Sequence, residues 1–102
     1  MATGDLEGCE WDDDKSEHTF EERGIDFEFA SHVFDGDYVE DEDRRLAYGE
    51  PRYVMIGEIE GVPITVVWTP RSGRRRIVAA WPSSNQERRK YREYYPKEED
   101  GD

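Results

Sequence analysis

Arginine forms the clearest chemical pattern in this sequence. Arg71 falls in a predicted turn, and Arg74 and Arg76 share one face of the strand that follows, with Arg75 on the other face. A guanidinium group is a planar fork of N–H donors that fits the oxygens of a phosphate. These side chains therefore indicate phosphate binding. The alternative is that they pair only with the chain's own carboxylates, as charged runs on protein surfaces commonly do.

A second basic segment lies on a predicted helix over residues 84–95. Arg88 and Arg92 are four positions apart and therefore share one side of that helix. Between them, Tyr91 offers a ring that can stack on an unpaired base. Alternatively, Tyr91 and Tyr95 pack the helix against a sheet, and the sequence leaves both roles open.

Other reactive residue types give weaker signals. His18 and His32 are the only histidines and are general-base candidates by residue type, but each stands alone on a predicted helix. The single cysteine, Cys9, excludes an internal disulfide and a zinc site made of several thiolates. The acidic runs lack a neighbouring histidine or a glycine-rich loop and are interpreted as solvated caps and loops. We therefore predict no metal ion and no cofactor.

The net charge of −12 is unevenly distributed along the 102 residues. Residues 1–45 carry 17 acids and 4 bases, residues 46–97 carry 5 acids and 10 bases, and residues 98–102 carry 4 acids. The acidic total argues against a nucleic-acid partner, but the arginine-bearing part of the chain is basic, so that partner stays open. The sequence shows neither a signal peptide nor a membrane-spanning segment, and we expect a cytoplasmic protein.

The elements that would position these side chains form an α+β arrangement. We expect a flexible N-terminus over residues 1–8, one domain over 9–95 and a flexible acidic tail over 96–102. The predicted elements are helices at 13–23 and 27–34, strands at 53–60, 62–69 and 74–81, and the basic helix at 84–95. Short turns between the strands predict a small antiparallel sheet, a meander, packed with two N-terminal helices and the C-terminal helix.

A series of short motifs runs through the chain in one order. The motifs are Glu10-Trp11-Asp12 with Lys15, Gly24-Ile25-Asp26-Phe27-Glu28 with Ala30, Val33-Phe34-Asp35, Arg52-Tyr53 with Ile56-Gly57, Val66-Val67 with Thr69 and Arg71, Arg76-Ile77-Val78 with Ala80, and Glu87-Arg88 with Tyr91. With these motifs, the sequence from Glu10 to Tyr91 resembles the BrnT family of type II toxin–antitoxin ribonuclease toxins. The fold of that family is similar to that of the RelE-type messenger-RNA interferases.

The resemblance implies a metal-independent ribonuclease that cleaves RNA and so inhibits translation and growth during stress. It also implies a ribbon-helix-helix antitoxin similar to BrnA, which neutralises the toxin and connects it to DNA only indirectly. A homodimer and a heterotetramer with the antitoxin are both compatible with it. Together with the phosphate chemistry, it predicts catalytic roles for Arg71, Arg76 and Arg88 and RNA-binding roles for Lys15, Arg74, Tyr91 and Arg92.

The sequence departs from the family pattern at one chemically important place. Where the family has two arginines directly after the Ser-Ala of the last strand, this chain has Trp81 and Pro82. Fold and activity are separable, so a chain that lacks a phosphate-binding pair can keep the fold without the catalysis. The second function class is therefore a BrnT-like binding module that pairs with an antitoxin or binds RNA without cleaving it.

Overall fold

Five strands form one mixed sheet in the spatial order β1-β5-β4-β3-β2. The strands are β1 (Cys9–Glu10), β2 (Tyr38–Glu42), β3 (Tyr53–Ile59), β4 (Val62–Arg71) and β5 (Arg74–Pro82), and the helices are α1 (Asp13–Arg23), α2 (Phe27–Ser31), a 3₁₀ helix (His32–Asp35) and α3 (Asn85–Tyr94). The computed structural model describes residues 8–44 and 49–97. The pairs β2–β3, β3–β4 and β4–β5 are antiparallel, whereas β1 pairs parallel with β5.

The α+β class is confirmed, and the three predicted strands, now β3, β4 and β5, pair antiparallel in sequence order, but the five-stranded sheet as a whole is mixed and not the small antiparallel sheet that was expected. The strand β1 pairs parallel with β5, and at two residues it is too short to show any alternation in the sequence. The strand β2, whose acidic end was interpreted as a loop, pairs with β3 along its whole length. Charged residues are common on such edge strands because they discourage pairing with other chains. The predicted helix at 27–34 divides into α2 and the 3₁₀ helix.

The ends of α1 and α3 follow from local capping chemistry. The side chain of Asp12 accepts hydrogen bonds from the amides of Asp14 and Lys15, at 2.9 and 3.2 Å, and so begins α1. Gly24 ends α1 in the left-handed conformation, at φ 77°. A capping box, in which the side chains of Ser84 and Glu87 each accept from the other residue's amide, begins α3. Of the segments predicted to be flexible, 1–8 and 96–102, residues 1–7 and 98–102 lie outside the described residues.

The two faces of the sheet carry different helices. Trp68 of β4 and Phe27 of α2 are each 1% exposed in the core between the sheet and the first two helices. Gly57 of β3 faces that side, and its neighbour Glu58 points the other way and pairs with Arg92 of α3. The core of α1 and α2 therefore lies on one face of the sheet, and α3 covers part of the other.

Gly57 allows the sheet to approach the 3₁₀ helix closely. A Cβ atom on Gly57 would lie 2.5 Å from Val33 Cγ2 and 3.1 Å from the carbonyl oxygen of Asp37. We expect Gly57→Ala to lower the free energy of unfolding by about 1–3 kcal/mol, the usual cost of overpacking. Gly36→Ala is the matched control, since no described atom lies within 4 Å of a Cβ there. Urea unfolding measures both variants, and equal stabilities would contradict this packing.

Candidate nucleic-acid interface

The turn between β4 and β5 gathers four guanidinium groups at one end of the sheet. Arg71 ends β4, and Arg74, Arg75 and Arg76 open β5; we call these four residues the hairpin arginines. The turn itself is Ser72-Gly73, with φ values of 54° and 77°, as a two-residue hairpin loop with two left-handed residues requires. This tight turn sets Arg71 directly opposite Arg74.

Two of the hairpin arginines are paired with carboxylates. The register of β1 and β5 places Glu10 directly beside Arg76, and Arg76 Nη1 donates to Glu10 Oε2 at 2.9 Å. The two side chains are only 26% and 28% exposed, so this ion pair is largely shielded from water. Arg71 Nη2 lies 3.4 Å from Glu50 Oε1, in a more exposed contact. Arg71 and Arg76 therefore pair with the chain's own acids, which is the alternative that the sequence left open.

The other two hairpin arginines have no carboxylate partner among residues 8–44 and 49–97. Arg75 lies on the opposite face from Arg76, as predicted, with its guanidinium carbon 4.1 Å from the centre of the Phe34 ring. The ring of Trp68 lies 5.3 Å from the same carbon. Arg74 makes one long hydrogen bond, from Nη2 to the carbonyl oxygen of Cys9 at 3.4 Å. Both side chains therefore keep N–H donors that a bound anion can use.

The predicted basic residues do not form one site. Arg88 and Arg92 lie at the opposite end of the sheet, where Arg88 Nε donates to the carbonyl oxygen of Ser83 at 3.3 Å and Arg92 pairs with Glu58. Ile64, which lies opposite Pro82, and Arg71 are seven residue steps apart on β4, which is roughly 23 Å at the usual rise of a strand. Lys15 lies apart from both groups, in a groove between α1 and β5 that is also lined by Arg23 and Ala80.

Tyr91 has a packing role in the structure. Its side chain is 6% exposed, and its ring centre lies 5.1 Å from that of Tyr95. Burial, reinforced by the nearby carboxylate of Glu58, raises the pKa of Tyr91 above its usual value. The phenol therefore stays protonated at neutral pH and can donate a hydrogen bond but not act as a base. Its predicted contact with RNA stays a prediction.

Trp81 takes part in the packing at the start of α3. Its indole Nε1 donates to Glu87 Oε1 at 3.1 Å, and the guanidinium carbon of Arg23 lies 5.7 Å from the centre of its ring. Arg23 Nη1 also donates to the carbonyl oxygen of Ala80 at 3.1 Å. The place where the family pattern has arginines is thus near the cations of Arg23 and Arg88, at the end of β5 remote from the hairpin arginines.

Glu10 is the functional candidate that the sequence reasoning missed. It belongs to the first motif of the chain, but its contact with Arg76 joins residues 66 positions apart and depends on the two-residue strand β1. The two histidines have other partners: His18 lies 3.4 Å from Glu22, and His32 lies 3.2 Å from Asp35. Burial raises the pKa of the Cys9 thiol, which disfavours the nucleophilic thiolate.

Within residues 8–44 and 49–97, no three His, Cys, Asp or Glu side chains are grouped so that they could hold a metal ion. Nor does any helix in these ranges have the length and apolar character needed to cross a membrane.

An α+β domain with arginines clustered on one hairpin fits a class of small proteins that act on phosphate-bearing polymers. A comparison with protein-family models defines that class further: residues 11–87 match the model described as the ribonuclease toxin BrnT of type II toxin–antitoxin systems. The match covers well over half of the sequence, and the chain belongs to the BrnT toxin family. The curated proteins contain no match to it. Membership of a type II toxin family implies an antitoxin partner.

Proposed function

We propose that this chain is a metal-independent endoribonuclease that acts in the cytoplasm, inhibits translation and is neutralised by an antitoxin similar to BrnA. The observation that carries the proposal is the Glu10–Arg76 pair at 2.9 Å, set beside the other hairpin arginines. It combines a carboxylate that can take a proton with cations that can stabilise a phosphate. The RelE-like relationship, and assembly as a homodimer or as a heterotetramer with the antitoxin, belong to the same proposal.

Metal-free RNA cleavage uses the 2′-hydroxyl of the substrate as the nucleophile. A base removes the 2′-OH proton, the 2′-oxygen bonds to phosphorus, and the bond from phosphorus to the 5′-oxygen breaks as that oxygen gains a proton. The products are a 2′,3′-cyclic phosphate and a 5′-hydroxyl. The protein must supply a base and fixed positive charge near the phosphorus, because negative charge develops there in the transition state.

In this proposal Glu10 is the base. One of its carboxylate oxygens, Oε2, is held by Arg76, while Oε1 makes no hydrogen bond within the described residues. The pairing fixes the carboxylate in one orientation and leaves an oxygen for the 2′-OH proton. The largely buried position of the pair strengthens its electrostatic effect on a bound phosphate, since water screens it less.

Arg76 and Arg74 are the groups that stabilise the phosphate in this proposal, with Arg71 at the rim. Arg74 and Arg76 share one face of β5, so both can reach a phosphate beside Glu10. Arg74 is exposed, and within residues 8–44 and 49–97 its long contact with Cys9 is the hydrogen bond that it would give up. A backbone phosphate competes well for such donors because hydrogen bonds between charged groups are stronger than those to a carbonyl.

The second candidate is a binding module that does not cleave RNA. The observation that favours it is that Arg71 and Arg76, two of the predicted catalytic groups, are already paired with Glu50 and Glu10. If these pairs persist in the presence of RNA, the arginines hold the strands together and do not contact a phosphate. The protein would then bind its antitoxin, or RNA, without chemistry.

Expression in a host that lacks the antitoxin separates the two candidates. We expect the unmodified chain to stop growth and to produce fragmented RNA, and we expect co-expression of the antitoxin to restore growth. Arg76→Ala, expressed to the same level, should allow growth. Normal growth and intact RNA with the unmodified chain would instead favour the binding module.

A further inference from the structure

A groove on the sheet face opposite the Glu10–Arg76 pair is suited to a flat ring. It lies between β1 and the 3₁₀ helix, has a volume of about 390 Å³, and is lined by aromatic, guanidinium and carboxylate side chains that include Trp11, Phe34, Asp35 and Arg75. We infer that this groove, here called the base groove, binds one unpaired guanine of the RNA. The inference rests on the proposed function, because it assigns a subsite for the same substrate.

The walls of the base groove are planar groups. The guanidinium of Arg75 lies over the Phe34 ring, with the guanidinium carbon 4.1 Å from the ring centre, and this contact orients it without an ion pair. Trp11 is half-buried, and its indole N–H makes no hydrogen bond within residues 8–44 and 49–97. Unpaired RNA bases are commonly bound by stacking on aromatic rings and on arginine planes. The lining therefore favours a base over a purely aliphatic ligand.

Asp35 supplies the chemistry that distinguishes guanine from the other bases. Its Oδ2 lies 3.2 Å from His32 Nδ1, and the side chain is 78% exposed, so Oδ1 and the second lone pair of Oδ2 are both open to a ligand. The Watson–Crick edge of guanine has two adjacent donors, N1–H and N2–H, and a carboxylate can accept from both. Adenine, cytosine and uracil lack that pair of donors, so each leaves one acceptor of Asp35 without a partner.

Arg74 connects the base groove to the phosphate side of the sheet. Its Nη2 lies 3.4 Å from the carbonyl oxygen of Cys9, and a Cβ on Gly8 would lie 3.7 Å from the same atom. Gly8 and Cys9 both line the base groove. Because β1 is an edge strand, an RNA chain can pass around it, with a phosphate on Arg74 and the adjoining base in the groove.

Binding of short oligonucleotides tests this inference independently of cleavage. The probes are 2′-O-methyl hexamers, which cannot be cut through the 2′-oxygen, made of uridine with one central guanosine, adenosine, cytidine or uridine. At one fixed salt concentration, we expect the full-length protein to bind the guanosine hexamer about tenfold more tightly than the others, the low end of the range for a two-hydrogen-bond base contact. Asp35→Asn should remove this preference, so that all four hexamers bind with similar affinity.

Two more variants complete the test. Trp11→Ala should weaken binding of the guanosine hexamer more than binding of the other hexamers. Phe20→Ala, which removes a 57% exposed ring outside the groove, should leave the affinity for every hexamer unchanged. Equal affinity for all hexamers, or a guanosine preference that survives Asp35→Asn, would overturn the inference. The inference would also be overturned if Trp11→Ala bound RNA as before but was no longer inhibited by the antitoxin. That result would assign the groove to the protein partner. Guanosine preference without cleavage of ordinary RNA would contradict only the proposed function.

Discussion

Glu10→Gln is expected to lower the rate of RNA cleavage by roughly 10²–10⁴-fold, the contribution that a positioned general base commonly makes. The amide has nearly the same shape as the carboxylate, and its oxygen can still accept a hydrogen bond from Arg76, so the contact between β1 and β5 is retained. What is lost is the capacity to take the 2′-OH proton. Single-turnover cleavage of a labelled RNA, with enzyme in excess, measures the chemical step directly.

The control for Glu10→Gln is Glu50→Gln. Glu50 also contacts a hairpin arginine, with its Oε1 3.4 Å from Arg71 Nη2, but this contact is more exposed than the Glu10–Arg76 pair. We expect Glu50→Gln to cleave RNA at a rate within a few-fold of that of the unmodified protein, because the loss of an exposed ion pair has a small effect. An undiminished or faster rate in Glu10→Gln would show that Glu10 only screens Arg76 and is not the base.

Arg76→Ala is expected to lower the cleavage rate by roughly 10²–10³-fold, as does the loss of one group that stabilises transition-state charge. Two effects act together, because the variant loses a cation near the phosphorus and also frees the carboxylate of Glu10 to turn away. Arg76→Lys should recover part of the rate, since a lysine keeps the charge but loses the planar fork of donors. The measurement is the same single-turnover assay, with circular dichroism to establish that each variant is folded.

Arg44→Ala is the matched control for Arg76→Ala. Arg44 is also an ion-paired arginine, 3.0 Å from Glu42, but its side chain is 80% exposed and lies in no proposed site. We expect it to cleave RNA at the unmodified rate. Equal rates for Arg44→Ala and Arg76→Ala would remove Arg76 from the mechanism and, with it, the reason for choosing Glu10.

The sequence predicts best the elements that local chemistry determines. The helix α1 was predicted at 13–23 and is observed as Asp13–Arg23, because Asp12 and Gly24 define its ends through bonds within a few residues. The strand β1 was not predicted because two residues show no periodicity, and because its partner β5 lies 66 positions away in the sequence. Pairing at such a distance depends on how the whole sheet folds.

The candidate site shows the same limit. The sequence identifies the arginines by type, and alternation along β5 places Arg75 opposite Arg74 and Arg76, as observed. It does not show that the length of β4 separates Arg71 from Arg88, or that β1 brings Glu10 to Arg76. The base of the proposed mechanism was therefore missed, because it is defined by a contact between remote strands.

The chemical ends that cleavage leaves on RNA show whether the 2′-hydroxyl is the nucleophile and whether a metal ion is needed. Purified protein without antitoxin is incubated with a synthetic single-stranded RNA in excess EDTA, and mass spectrometry identifies the ends. We expect 2′,3′-cyclic phosphate and 5′-hydroxyl ends, and no cut where the nucleotide that supplies the 2′-oxygen is replaced by its 2′-deoxy form. No cleavage, cleavage only after a divalent cation is added, or cleavage of the deoxy-substituted RNA at the same position would contradict this expectation.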